Sequence, residues 1–85
     1  MLRITRSVST DAVVVHLQGK LLSAWVGEVL TALAAARADG AVRVNLTELS
    51  FADAAGIDLL RALRTDGVEF MGASAFITGL MTLPA

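Results

Sequence analysis

The sequence predicts a mixed α/β fold, a β-sheet with helices packed on it in the order ββαβαβα and with parallel later strands. Three observations predict it. Val13, Val15 and Leu17 alternate with Val14, His16 and Gln18, the period of a half-buried strand. From Leu22 the apolar spacing lengthens to the helical one. Val42, Val44 and Leu46 then alternate with Arg43 and Asn45, so a strand period returns after a helix, as in a crossover that rejoins the same sheet.

Leu2 and Ile4 between Arg3 and Thr5 predict a short edge strand, and the polar segment from Ser7 to Asp11 is the turn into the second strand, which ends at Gly19. Leu22, Val26, Val29, Leu33 and Ala36 mark the buried stripe of the first helix. Ser23 is its expected N-cap, Glu28 lies in an early turn, and Arg37 and Gly40 supply the stop. A second helix is expected from Ala54, with Ile57, Leu60 and Leu63 inward, Asp58 and Arg61 on the other side, and Gly67 at its end. Val68 to Met71 predicts a short strand. Ser74 caps a last helix whose apolar face is Phe76, Ile77, Leu80 and Met81, closed by Pro84. Val13, Val15, Val44, Leu46, Leu60, Leu63, Phe70, Ile77 and Leu80 are the expected core.

With 85 residues there is material for one domain, residues 1–85, and no second core. The chain is 55% hydrophobic with a mean hydropathy of +0.69, more apolar surface than so small a fold easily hides. A protein partner or a homodimer is therefore expected to cover part of it. Net charge is -1 and the seven Lys and Arg form no run, so no nucleic-acid partner is expected. Cysteine is absent, in keeping with a reducing compartment. The N-terminus lacks the apolar core of a secretory signal, and the uncharged tail from Phe70 is interrupted by Gly72, Ser74, Gly79 and Pro84. A cytoplasmic location without membrane insertion is expected.

Few residues could carry chemistry. Asp53-Ala54-Ala55-Gly56 lies at an expected helix start, where an Asp caps free backbone N–H groups and where an anion would also be received. His16 is the single histidine and reads as a sheet residue. Trp25, among Leu22, Val26 and Val29, reads as buried, with an exposed partner anchor as its alternative. The acidic residues Glu48, Asp53 and Asp58 fit a helix start, and neither a phosphate-cradling Gly-rich lysine loop nor a serine elbow occurs. No catalytic residue, metal site or cofactor is expected.

The stretch Val42-Arg43-Val44-Asn45-Leu46-Thr47-Glu48-Leu49-Ser50-Phe51-Ala52-Asp53-Ala54-Ala55-Gly56-Ile57 resembles the signature of the STAS domain, the family of bacterial anti-sigma factor antagonists and of the cytoplasmic domains of sulfate transporters. The resemblance extends over nearly the whole chain. It implies a non-catalytic interaction module that binds a regulatory partner, an anti-sigma or switch-type kinase, through Asp53, Ala54, Ala55 and Gly56 and the helix bearing Asp58 and Arg61. In the antagonists the residue after the aspartate is a serine that the partner kinase phosphorylates. Here it is Ala54, followed by Ala55, and neither can accept phosphate. Thr47 and Ser50 do not occupy the matching position. The resemblance thus implies a module without the switch, or a constitutive adaptor subunit of a transporter ATPase or signalling-scaffold complex. The family commonly continues with one more strand and a closing helix, so an exposed sheet edge that favours association is also expected.

Overall fold

The structure, a computed structural model, describes residues 2–82. Strands β1 (Leu2–Val8) and β2 (Val13–Leu21) form an antiparallel hairpin. A single 3₁₀ turn at Ser23–Trp25 leads into α1 (Val26–Asp39), which returns the chain to β3 (Val42–Asn45), parallel to the first half of β2. Next come β4 (Leu49–Ala52), α2 (Ala54–Thr65), β5 (Glu69–Met71) and α3 (Ala75–Thr82). The sheet runs β1-β2-β3-β5, with β4 paired to β2. All pairings beyond the hairpin are parallel, as expected.

One strand was not foreseen. The predicted order has no strand between the one at Val42 to Leu46 and the helix at Ala54, yet β4 lies there and pairs with Gly19, Lys20 and Leu21 after a register shift at Gly19/Lys20. Gly19 takes φ 103, a conformation open to glycine, and this irregularity re-aims the end of β2 so that it continues to Leu21 and accepts a second partner. One long strand therefore serves two short parallel ones, and the order becomes ββαββαβα.

Val13, Val15, Leu17 and Leu21 of β2 join Val44, Leu46 and Leu49 in one buried cluster, closed by Val29, Leu33 and Ala36 of α1 and Ile57, Leu60 and Leu63 of α2. The intervening His16, Gln18, Arg43 and Asn45 are only half-buried, so the alternation divides core face from open face except at Val14, which is buried on the open side. Seven of the nine expected core residues are buried. Phe70 and Leu80 are half-buried. Phe76 is 53% exposed, because α3 spans eight residues and turns Ile77 and Met81, one helical turn apart, into the core instead.

The starts of the helices also refine the expectation. Ser74 Oγ accepts from Ile77 N–H at 3.1 Å, the cap expected of it. Ser23 caps nothing with its side chain and instead opens the 3₁₀ turn before α1. Trp25 packs half-buried against the core. Pro84, the expected end of the last helix, lies outside the described residues.

Candidate functional site

β4 ends at Ala52 and α2 begins at Ala54, so Asp53 sits at the junction, at the carboxyl end of a parallel strand and the amino end of a helix. Its extended backbone, φ -79 and ψ -177, ties β4 to the sheet: its N–H donates to Leu21 O at 3.0 Å and its carbonyl accepts the first helical bond from Ile57 N–H at 2.8 Å. The carboxylate is fully committed. Oδ1 accepts from Gly56 N–H at 2.8 Å, the N-cap bond, and Oδ2 accepts from Ser23 N–H, also at 2.8 Å. One side chain thereby pins the start of α2 to the 3₁₀ turn before α1, thirty residues earlier in the chain.

The other expected site residues fall into two groups. Ala54 is exposed and Ala55 half-buried, so two methyl groups, with no hydroxyl, face outward beside the cap. Gly56 is buried, and a Cβ built on it would lie 2.6 Å from Leu21 O and 2.9 Å from Leu21 Cγ, so only glycine lets α2 approach β2 this closely. Asp58 is exposed on the outer side of α2. Arg61 is half-buried and spent on the neighbouring helix, its Nε donating to Met81 O at 3.0 Å and its terminal nitrogen to Leu80 O at 3.2 Å. It braces α2 against α3 by binding carbonyls at the end of that helix, where a cation is favoured.

Two features of this end of the molecule were missed. Local spacing predicts Ser23 as the cap of its own helix, and nothing local signals that its amide meets the Asp53 carboxylate. Phe51 and Phe76 stack with ring centroids 6.3 Å apart and remain 39% and 53% exposed. Ser50, exposed beside them, donates its hydroxyl to Gly19 O at 2.9 Å.

Elsewhere the polar groups are engaged in the sheet. His16 Nε2 lies 3.1 Å from Ser7 Oγ on the open face, and Gln18 donates to Glu48 at 3.2 Å. Among the described residues no group of three or more acidic or histidine side chains could hold a metal ion. A groove of about 440 Å³ lies at the opposite pole, lined in part by Arg37, Arg43, Asp66 and Glu69, and its arginines pair with acidic neighbours, Arg43 with both Asp11 and Glu69.

Solved structures share this architecture. The anti-sigma factor antagonist SpoIIAA in its unphosphorylated form superposes with a TM-score of 0.65, covering 99% of this chain and 84% of SpoIIAA at 19% identity. An antisigma-factor antagonist STAS domain from Rhodobacter sphaeroides gives 0.66, covering 87% of this chain and 92% of its own at 20% identity. The chain has a STAS-like fold. In this STAS-like domain α2 begins at Ala54, where the residues predict a helix start. A third neighbour, Mglu, is 30% identical over 79% of this chain with a TM-score of 0.61, and the chain spans only 18% of Mglu's length. No protein-family model matches the sequence, and none of the curated proteins matches it. Among the described residues no helix is long and apolar enough to cross a membrane.

The clamp sets an expectation for Asp53 itself. Asp53→Ala removes the acceptor for two backbone N–H groups and should cost about 1–2 kcal/mol. Amide exchange should accelerate most at Ser23 and Gly56, while exchange in β2 and β3 accelerates only as far as the loss of global stability requires. A loss shared equally by all amides would show that the carboxylate does not hold this junction.

Proposed function

We propose that the domain is a non-catalytic docking module that binds a regulatory protein of the anti-sigma or switch-kinase type through the Asp53 junction and the outer side of α2, without a phosphorylation switch. The observation that carries the reading is the exposed Ala54 at the start of α2, beside an aspartate whose two oxygens are already occupied by backbone N–H groups. Such a surface is rigid, small and uncharged at its centre, suited to close contact with another protein and not to proton or group transfer. The likeness to two antagonist domains supports the choice of partner class. A protein without an acceptor at residue 54 stays in its binding-competent form.

A second reading is favoured by one specific observation. Mglu holds a segment similar to this chain as a small part of a much longer polypeptide, so a segment of this fold can also be one permanent part of a larger protein. On that reading the domain is a constitutive adaptor of a transporter ATPase or scaffold complex, using the same unswitched surface.

Ala54→Glu tests the docking surface. A carboxylate there meets a favourable helix N-terminus, so folding should be almost unchanged. Burying it against a partner without a matching cation should weaken binding tenfold or more. Titration calorimetry with a purified anti-sigma-type kinase, beside circular dichroism of the variant, reads both effects. The same kinase with ATP should leave residues 47–57 unmodified by mass spectrometry. Unchanged affinity in Ala54→Glu would place docking elsewhere, and phosphate on Thr47 or Ser50 with loss of binding would mean a switch exists at another hydroxyl.

A further inference from the structure

The edge of the sheet formed by β1 carries an inference independent of the docking reading. β1 is seven residues long, ends the strand order, and has β2 as its partner. Its other side presents the backbone groups of an open edge. An inward-pointing charge is one of the devices by which proteins guard such an edge. Arg6 occupies that position, in register with Val15, but its guanidinium is paired with Asp39 at the end of α1. Val8, in register with buried Val13, is 76% exposed, and grooves of about 250 and 450 Å³, lined by Ile4 and Ala32 together with Arg6, Glu28 and Thr31, run between β1 and α1.

We propose that β1 is a homodimerisation edge, pairing antiparallel with β1 of a second copy about a two-fold axis at Thr5. Centring on Thr5 is the one register that leaves none of the seven residues unpaired, setting Leu2 opposite Val8, Arg3 opposite Ser7 and Ile4 opposite Arg6 of the other copy. Val8 then gains Leu2 of the second copy as an apolar neighbour on its open side. The charges also fit. Glu28 lines the groove beside Ile4, and Ile4 faces Arg6 of the second copy, so each Glu28 comes to the arginine across the axis. The two Arg6 side chains become diagonal neighbours, a repulsion answered on each by its own Asp39 and by the other copy's Glu28. The two-fold contact closes on itself, whereas pairing β1 with the three-residue β5 edge of another copy would propagate into a filament.

Sedimentation equilibrium of the whole chain should show a reversible dimer that weakens as salt rises. Glu28→Arg, an exposed change on α1, should weaken the dimer tenfold or more, since it sets like charges together twice by symmetry. Val8→Lys, at a residue already exposed, should leave only monomer with an unchanged circular dichroism spectrum. A wild-type chain that stays monomeric at millimolar concentration overturns the proposal. So does a dimer that neither substitution weakens.

Discussion

Leu60→Ala is expected to remove about 2–5 kcal/mol of stability. Leu60 is 0% exposed on the inner side of α2, within the cluster shared with β2, β3 and α1. Truncation loses the transfer free energy of the removed carbons, and the close-packed surroundings cannot collapse fully into the gap. A chain of 85 residues holds roughly 4–13 kcal/mol in total, so the variant should sit near the edge of folding. Urea titration should show the midpoint falling sharply with the slope unchanged. A loss below about 1 kcal/mol would mean that α2 is not packed on the sheet in this way.

Gly56→Ala is expected to destabilise despite the better helix propensity of alanine. In an open helix position the substitution would gain about 1 kcal/mol. Here the new methyl meets Leu21 O at 2.6 Å and Leu21 Cγ at 2.9 Å, with Ala52 Cβ at 3.3 Å behind them. The Leu21 side chain could shift. Its carbonyl cannot, because it accepts the Asp53 N–H that holds the end of β4. Either α2 moves outward and breaks the cap on Asp53, or the β2–β4 pairing is strained, at a net cost of about 1–3 kcal/mol. For a domain of this size each kcal/mol lowers Tm by about 4–8 °C. A thermal scan in which Gly56→Ala matches or exceeds the wild type would show that the close approach of α2 to β2 is not required. Because Gly56 is buried and Ala54 exposed, this stability loss and the binding loss expected of Ala54→Glu are separable within one four-residue motif.

The elements whose side chains repeat at a regular spacing are legible in the residues alone. β2 and β3 alternate because one face meets helices and the other stays open. The inward residues of α1 and α2 recur at helical spacing because each helix buries one stripe. Asp53 and Ser74 announce the caps of α2 and α3 because an N-cap bond spans three residues, a distance local sequence can encode. The absence of a hydroxyl at residues 54 and 55 is likewise legible without coordinates.

Only the tertiary structure decided the rest. β4 has both ends buried and both middle residues exposed, so it shows no period of two, and it is a strand because β2 bends at Gly19 to receive it. Phe76 looked like core by its hydrophobicity, but an eight-residue helix has room for one inward pair, and Ile77 and Met81 take it. Arg61 read as an outer-face charge until α3 packed beside it and supplied two carbonyls. The second bond of Asp53, to Ser23 thirty residues away, follows from no local pattern, because a carboxylate has two oxygens and the helix start uses only one. What the other oxygen meets depends on which loop the fold brings alongside, and here it is the turn that enters α1.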